Sequence, residues 1–277
     1  MRTIAILRTE LSKLFRQRIT WASFVVVLVL VALITWGSHH ERDRIDVENT
    51  LGDQFVVAGK TVTALFVAHA VMQVAMVVLI PLLVAVVVGG TVAGERQVGT
   101  LRTLLARPVS RTAVLLSKLA AGWSYTAALT LALGGLSLGL GHLVFGWGDL
   151  VIFRGGLTIF DPHLGLMRLG QAYGLAAAAM CTVAAVALLA STIFDNPMTA
   201  AGLTVALLLV CGIIAQMPYF ETIEPHLITS HLQLHREVLE AQVNRPELLR
   251  SAGYLAGYTV VSVAIAVAVF QRRDVTC

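Results

Sequence analysis

Six long apolar runs, at 21–37, 62–93, 112–145, 170–194, 198–217 and 252–270, constrain this chain more than anything else in it. A helix crosses the hydrocarbon core of a bilayer with about 20 predominantly apolar residues. Composition agrees: 57% of the residues are hydrophobic, 13% are charged and the mean hydropathy is +0.81. Soluble domains carry about 25% charged residues, and a soluble chain with this balance could not cover its surface. The expected fold class is all-α, a polytopic membrane protein with six transmembrane helices, and residues 1–277 read as one transmembrane domain.

Residues 1–20 are the exception to the apolar plan. Ile4, Leu7, Leu11 and Leu14 recur at steps of three and four, with Arg2, Arg8, Lys13, Arg16 and Arg18 on the remaining faces. A basic amphipathic helix just before a span is expected to lie in the membrane interface, apolar side down. The competing reading of 1–37 is a cleavable signal peptide. Its apolar part is long for one, and no small-x-small cleavage site follows. Trp21 and Trp36 stand at the two ends of the first run, where interfacial aromatics belong.

Within the other runs, Pro81 predicts a kink. His69 and Gln73 lie one turn apart on one face and form a candidate intramembrane polar site, although the run is long enough to place them at its outer end. The pairs Gly135/Gly139, Gly170/Gly174 and Gly253/Gly257 have the spacing of close helix packing. Between the fourth and fifth runs, Asn196 is a helix cap and Pro197 suits the first helical position. Cys181 and Cys211 sit inside apolar runs and Cys277 ends the chain, so buried or unpaired thiols are expected rather than a disulfide framework.

Lys and Arg set the orientation. Residues 1–20, 94–118, the 195–197 turn and 271–277 hold 12 basic residues and four acids. Residues 38–61, 146–169 and 219–251 hold eight basic residues and 12 acids. The positive-inside rule puts both termini and the 94–118 stretch in the cytoplasm, in a multi-pass protein of the cell (inner or plasma) membrane, with 219–251 extracytoplasmic. This distribution accounts for the basic excess with the lipid bilayer alone, so no nucleic acid partner is implied.

The 94–118 stretch is an island of five basic residues between two apolar runs. Leu101, Leu104 and Leu105 recur at helical spacing until Arg107-Pro108, where proline ends the helix. The stretch predicts a short amphipathic helix, too short to cross a bilayer. Its residues Glu95, Gly99, Thr100, Leu104, Leu105, Pro108, Val109, Ser110, Arg111 and Lys118 resemble, in order and spacing, the cytoplasmic signature of type-2 ABC (ATP-binding-cassette) exporter permeases. That resemblance implies an elbow helix over 1–20, a coupling-helix loop over 94–111 that docks on a separate ATPase subunit, and a second permease chain, identical or paralogous. It implies ATP-driven export by alternating access, with ATP and Mg bound on the partner ATPase and no cofactor on this chain. The ATPase-coupling set it marks also includes Leu101, Arg102 and Arg107. The alternative function is a membrane anchor or assembly subunit, for example of a copper-enzyme maturation transporter, without classical small-molecule export.

Enzymatic readings find little support. Gly59-Lys60-Thr61 looks like the tail of a phosphate-binding loop, but Gln54 stands where its first glycine belongs and no strand precedes it. ATP hydrolysis by this chain itself is therefore not expected. His231 and His235 would share one helical face at metal-ligand spacing if 231–243 were a helix. With no His-Glu-x-x-His signature and no cysteine partner they are weak candidates, and a solvated outer surface is the expectation. An intramembrane enzyme would have only His69 and Gln73 to work with.

Overall fold

A computed structural model describes residues 2–40, 62–100, 110–153, 157–220, 222–240 and 243–273. The acidic segment 41–61, with Gly59-Lys60-Thr61, lies outside the described residues. So do 101–109, which carry Leu101, Arg102, Leu104, Leu105, Arg107 and Pro108, and the chain end 274–277 with Cys277. Among the described residues the protein is all-α apart from one hairpin, and six helices are long and apolar enough to cross a membrane.

Helix α1 (Arg2–Arg16) is the amphipathic N-terminal helix and α2 (Arg18–His40) the first span. The break between them is held by Thr20 Oγ1 donating to Leu14 O at 2.6 Å and the Trp21 indole donating to Phe15 O at 2.9 Å. Helix α3 (Ala64–Gln97) starts at Thr63, whose hydroxyl accepts from Phe66 N, and contains a π-turn at Ala75–Leu79 just before Pro81. Helix α4 (Arg111–Phe145) is followed by β1 (Leu150–Phe153) and β2 (Leu157–Phe160), an antiparallel pair with Leu150 opposite Phe160. Helices α5 (Pro162–Ile193) and α6 (Pro197–Ile214) are joined by a tight turn. There Asn196 accepts from Met198 N at 2.8 Å and Pro197 takes a first-turn position, as their residue types dictate. A short helix α7 (Ile228–Leu232) and a 3₁₀ turn (Leu234–Leu239) precede α8 (Arg245–Arg272).

The hairpin and the first turns of α5 and α8 occupy what composition marks only as polar segments. The two helices begin at Pro162 and at Arg245-Pro246, behind Asp161 and Asn244, and proline is well suited to the first turn of a helix. Helices therefore run past the apolar spans at the end of the bundle away from the termini.

Helix α5 is the hub, packed by α3, α4, α6 and α8. Its buried alanines, among them Ala176, Ala179, Ala184 and Ala187, let those neighbours approach closely. Helices α6 and α8 lie outside it and present Leu207, Leu209, Val260 and Val261 outward. The expected glycine pairs do not make these contacts. A Cβ placed on Gly135, Gly139, Gly170, Gly174, Gly253 or Gly257 meets nothing of this chain within 4 Å. The tight approaches to backbone are at Gly89, against Ala201 at 3.3 Å, and at Gly141, against Ala64 at 3.0 Å. In spans with small residues on every face, spacing alone does not say which face is inward.

Candidate functional site

The two described ends of the basic loop show why its signature residues are of those types. Just past the end of helix α3 stands Gly99, whose φ of +77° suits glycine and whose N donates to Arg96 O at 3.0 Å. Thr100 Oγ1 then donates to Glu95 O at 3.2 Å. On the far side Ser110 caps α4, accepting from Ala113 N at 3.3 Å. Replacing it in Ser110→Ala should cost about 1 kcal/mol, read as a lower thermal unfolding midpoint in detergent. An unchanged midpoint would show that the cap is dispensable.

Beneath the loop lies a compact four-charge cluster. The Lys118 ammonium is 2.8 Å from Glu10 Oε2 and 2.8 Å from Glu95 Oε2, and donates to Thr91 O at 3.1 Å. The Lys13 ammonium is 3.1 Å from Glu10 Oε1 and 3.1 Å from Glu95 Oε1. Each carboxylate thus bridges both ammonium groups, and three helices, α1, α3 and α4, are tied by charge. Lys118 is only 1% exposed. Burial works to raise the Glu10 carboxyl, but Lys118 and Lys13 together hold it below the ordinary carboxylate value. Burial likewise works to lower Lys13, and Glu10 and Glu95 outweigh it, so that its ammonium is held above the ordinary lysine value. The cluster walls a cavity of about 320 Å³ that Thr91 and Thr100 also line.

A second set of contacts fastens the same end of the bundle. Arg96 pairs with Asp195 at 2.9 Å, joining α3 to the α5–α6 turn, and Arg273 reaches Asp195 at 3.4 Å and Thr192 O at 3.1 Å. Arg111 donates to Gln271 O at 3.1 Å and Arg273 O at 3.0 Å, joining α4 to the tail. Ser191 Oγ accepts from both Val92 N and Ala93 N, at 3.0 and 2.9 Å. Both described ends of the loop are thus anchored into the helices that form the membrane domain.

Of the basic residues near Glu95 in the sequence, the structure pairs it with Lys118 and adds Lys13 from α1, while Arg96 bonds Asp195 and Arg111 bonds the tail. Glu10, Lys13, Asp195 and Arg273 were not singled out. A signal existed: Lys118 lies seven residues into the apolar helix that starts at Arg111, where a charge needs a counter-ion, and Glu10 is the only acid in residues 1–20.

The other candidates sit at the opposite end of the bundle. The Gln73 amide donates to His69 Nε2 at 3.2 Å, early in α3. Nearby, the buried Tyr173 hydroxyl donates to Ala68 O at 2.8 Å and lies 3.2 Å from Ser137 Oγ. His231 is stacked on Tyr254 at 4.4 Å between centroids, with its ring nitrogens 3.0 Å from Ser251 Oγ and 2.9 Å from Pro225 O. His231 and His235 do not share one helix, because α7 ends at Leu232 and the chain tightens into a 3₁₀ turn. Both are buried, against the expectation of a solvated surface. Among the described residues no three His, Cys, Asp or Glu side chains are grouped to hold a metal. Cys181 and Cys211 are free thiols.

Six spans, an N-terminal helix locked to two of them by buried charge, and a loop strapped down on both sides define a multi-pass membrane protein organised around one loop. A sequence model of the family described as ABC-2 family transporter protein matches residues 4–275, and the chain belongs to that family. It is accordingly a permease subunit, the membrane component of an ABC transporter, and the family implies association with an ABC ATPase. No curated protein matches the chain.

Proposed function

We propose that this chain is one half of the membrane domain of an ATP-driven exporter, working with a second permease chain and two separate ATPase subunits. The loop 94–111 docks on the ATPase from the cytoplasm, where the balance of basic residues places both termini. ATP and Mg bind on the ATPase, whose closure pushes the loop and switches the permease pair between inward-open and outward-open states. The observation that supports this best is the anchoring of the loop. A push at Gly99 or Ser110 meets the Glu10–Lys13–Glu95–Lys118 cluster and the Arg96–Asp195–Arg273 contacts, which carry it into the spans as a rigid-body displacement.

Gentle detergent purification from native membranes tests the reading. A soluble ATPase with a phosphate-binding loop should stay bound to the wild-type chain. Leu104→Asp and Arg107→Glu, placed where an apolar knob and a basic rim would meet the docking groove, should each weaken that association about 30-fold or more. Both variants should remain inserted in the membrane. Normal co-purification and normal ATP-driven transport in both would remove the coupling assignment.

A further inference from the structure

We infer that the end of the bundle away from the termini carries a site for one anionic phospholipid, in the slot between α5, α8 and the 3₁₀ turn. The slot encloses about 750 Å³ and is lined by Arg168 and Arg245 together with Gly174, Leu175, Leu248 and Leu249.

The two arginines sit at one level of the membrane. Arg168 is 25 residues from the end of α5 at Ile193, about 37 Å along the axis at 1.5 Å per residue. Arg245 is 27 residues from the end of α8 at Arg272, about 40 Å by the same rise. With both helix ends at one face of a hydrocarbon core about 30 Å thick, both guanidinium groups reach the headgroup layer of the opposite leaflet. Gly174 and Leu175 lie one to two turns deeper, at acyl-chain depth.

The arginines are poised for an external anion. Arg168 is fixed by donating to Val238 O at 2.9 Å and lies 5.7 Å over the Phe160 ring, so its remaining donors face a set direction. Arg245 is exposed and its guanidinium has no carboxylate partner among the described residues. Among the described residues no acid lines the slot. Two guanidinium groups over an apolar cleft match a phosphodiester with its acyl chains below, the arrangement by which basic pockets between spans hold anionic headgroups. The room for a chain comes from glycine, since a Cβ on Gly174 would meet nothing within 4 Å. The inference requires the bundle to be in a membrane and is independent of ATP coupling.

The test is native mass spectrometry of the full chain, with any bound subunits, released from mixed micelles of phosphatidylglycerol and phosphatidylcholine. The wild type should retain phosphatidylglycerol in preference to phosphatidylcholine. Arg245→Gln should lower that retention about fivefold, the effect of one basic residue at a membrane surface. Gly174→Leu, whose Cβ meets nothing of the chain within 4 Å and whose longer side chain takes up the room of the slot, should abolish it. Equal retention of both lipids, or wild-type retention in either variant, overturns the assignment. Displacement of the lipid by millimolar inorganic phosphate would show a free-anion site and overturn it equally.

Discussion

Lys118→Met should destabilise the chain by about 3–5 kcal/mol, seen as a large fall in the thermal unfolding midpoint in detergent and in the yield of folded protein. Removing one member of a buried ion pair leaves its partner desolvated without compensation. Here both Glu10 and Glu95 lose a contact of 2.8 Å, and Lys13 is left to serve two carboxylates. A combined Lys118→Met and Glu10→Leu change should recover part of the loss, because it removes the stranded charge with its partner. If the single change left the midpoint within about 0.5 kcal/mol of wild type, the cluster would have no structural weight.

The same cluster fixes the direction of the pH response. The folded-state Glu10 carboxyl is held below its unfolded value. Its contribution is therefore complete above the ordinary carboxylate range and lost as pH falls through the depressed value. Lys13 is held above its unfolded value, so its contribution is complete below the ordinary lysine range and lost as pH rises through the raised value. Unfolding midpoints measured across pH should show a plateau between these limits. In Lys118→Met, burial of Glu10 loses its main opposition, its folded-state value rises toward the ordinary one, and the acid-side loss that Glu10 contributes should shrink.

Gly141→Leu should cost about 3 kcal/mol, at the upper end of the range for overpacking. A Cβ on Gly141 already stands 3.0 Å from Ala64 Cα and 3.1 Å from Ala64 O. Those neighbours are backbone and cannot rotate aside, so α3 and α4 must separate where Ala64 N also donates to Gly146 O at 3.1 Å. Gly135→Leu on the same helix is the control. Nothing of the chain lies within 4 Å there and leucine is the better helix former, so its midpoint should stay level or rise. Equal losses in the two variants would point to a general effect of bulk rather than to this approach.

The fold class was legible because the membrane makes it so. A chain with six apolar runs has few ways to satisfy its backbone in lipid, and the Asn196-Pro197 turn announced itself through capping chemistry. The hairpin at Leu150–Phe160 was not legible, because its two four-residue strands are shorter than any periodic signal and are flanked by ordinary polar residues. The glycine pairs misled for a related reason: in a helix that is apolar all round, hydrophobicity carries no phase. At the site, Glu95 and Lys118 could be read as an ion pair from their places at a span end and inside a span. Glu10 was marked only as the lone acid of residues 1–20, and its place in the cluster comes from the fold of α1 onto α4, which brings together residues 108 apart in sequence.

The π-turn at Ala75–Leu79 has a further consequence. One extra residue in a helical turn offsets everything after it by about 100°. The inward stripe Ala64, Val67, Ala68, Val71, Met72 and Ala75, continued without interruption, would run on through Val78 and Leu82, both of which are exposed; past the turn burial takes in Ile80, Val84 and Val88 as well as Ala85, Gly89 and Ala93. The second span is thus two helical segments keyed to different neighbours. The phase that aims His69 and Gln73 at one end is uncoupled from the phase that aims Gly89 at α6 and Glu95 at Lys118 at the other. Deleting a single residue from this turn would re-clock one half against the other and force a choice between the two sets of contacts.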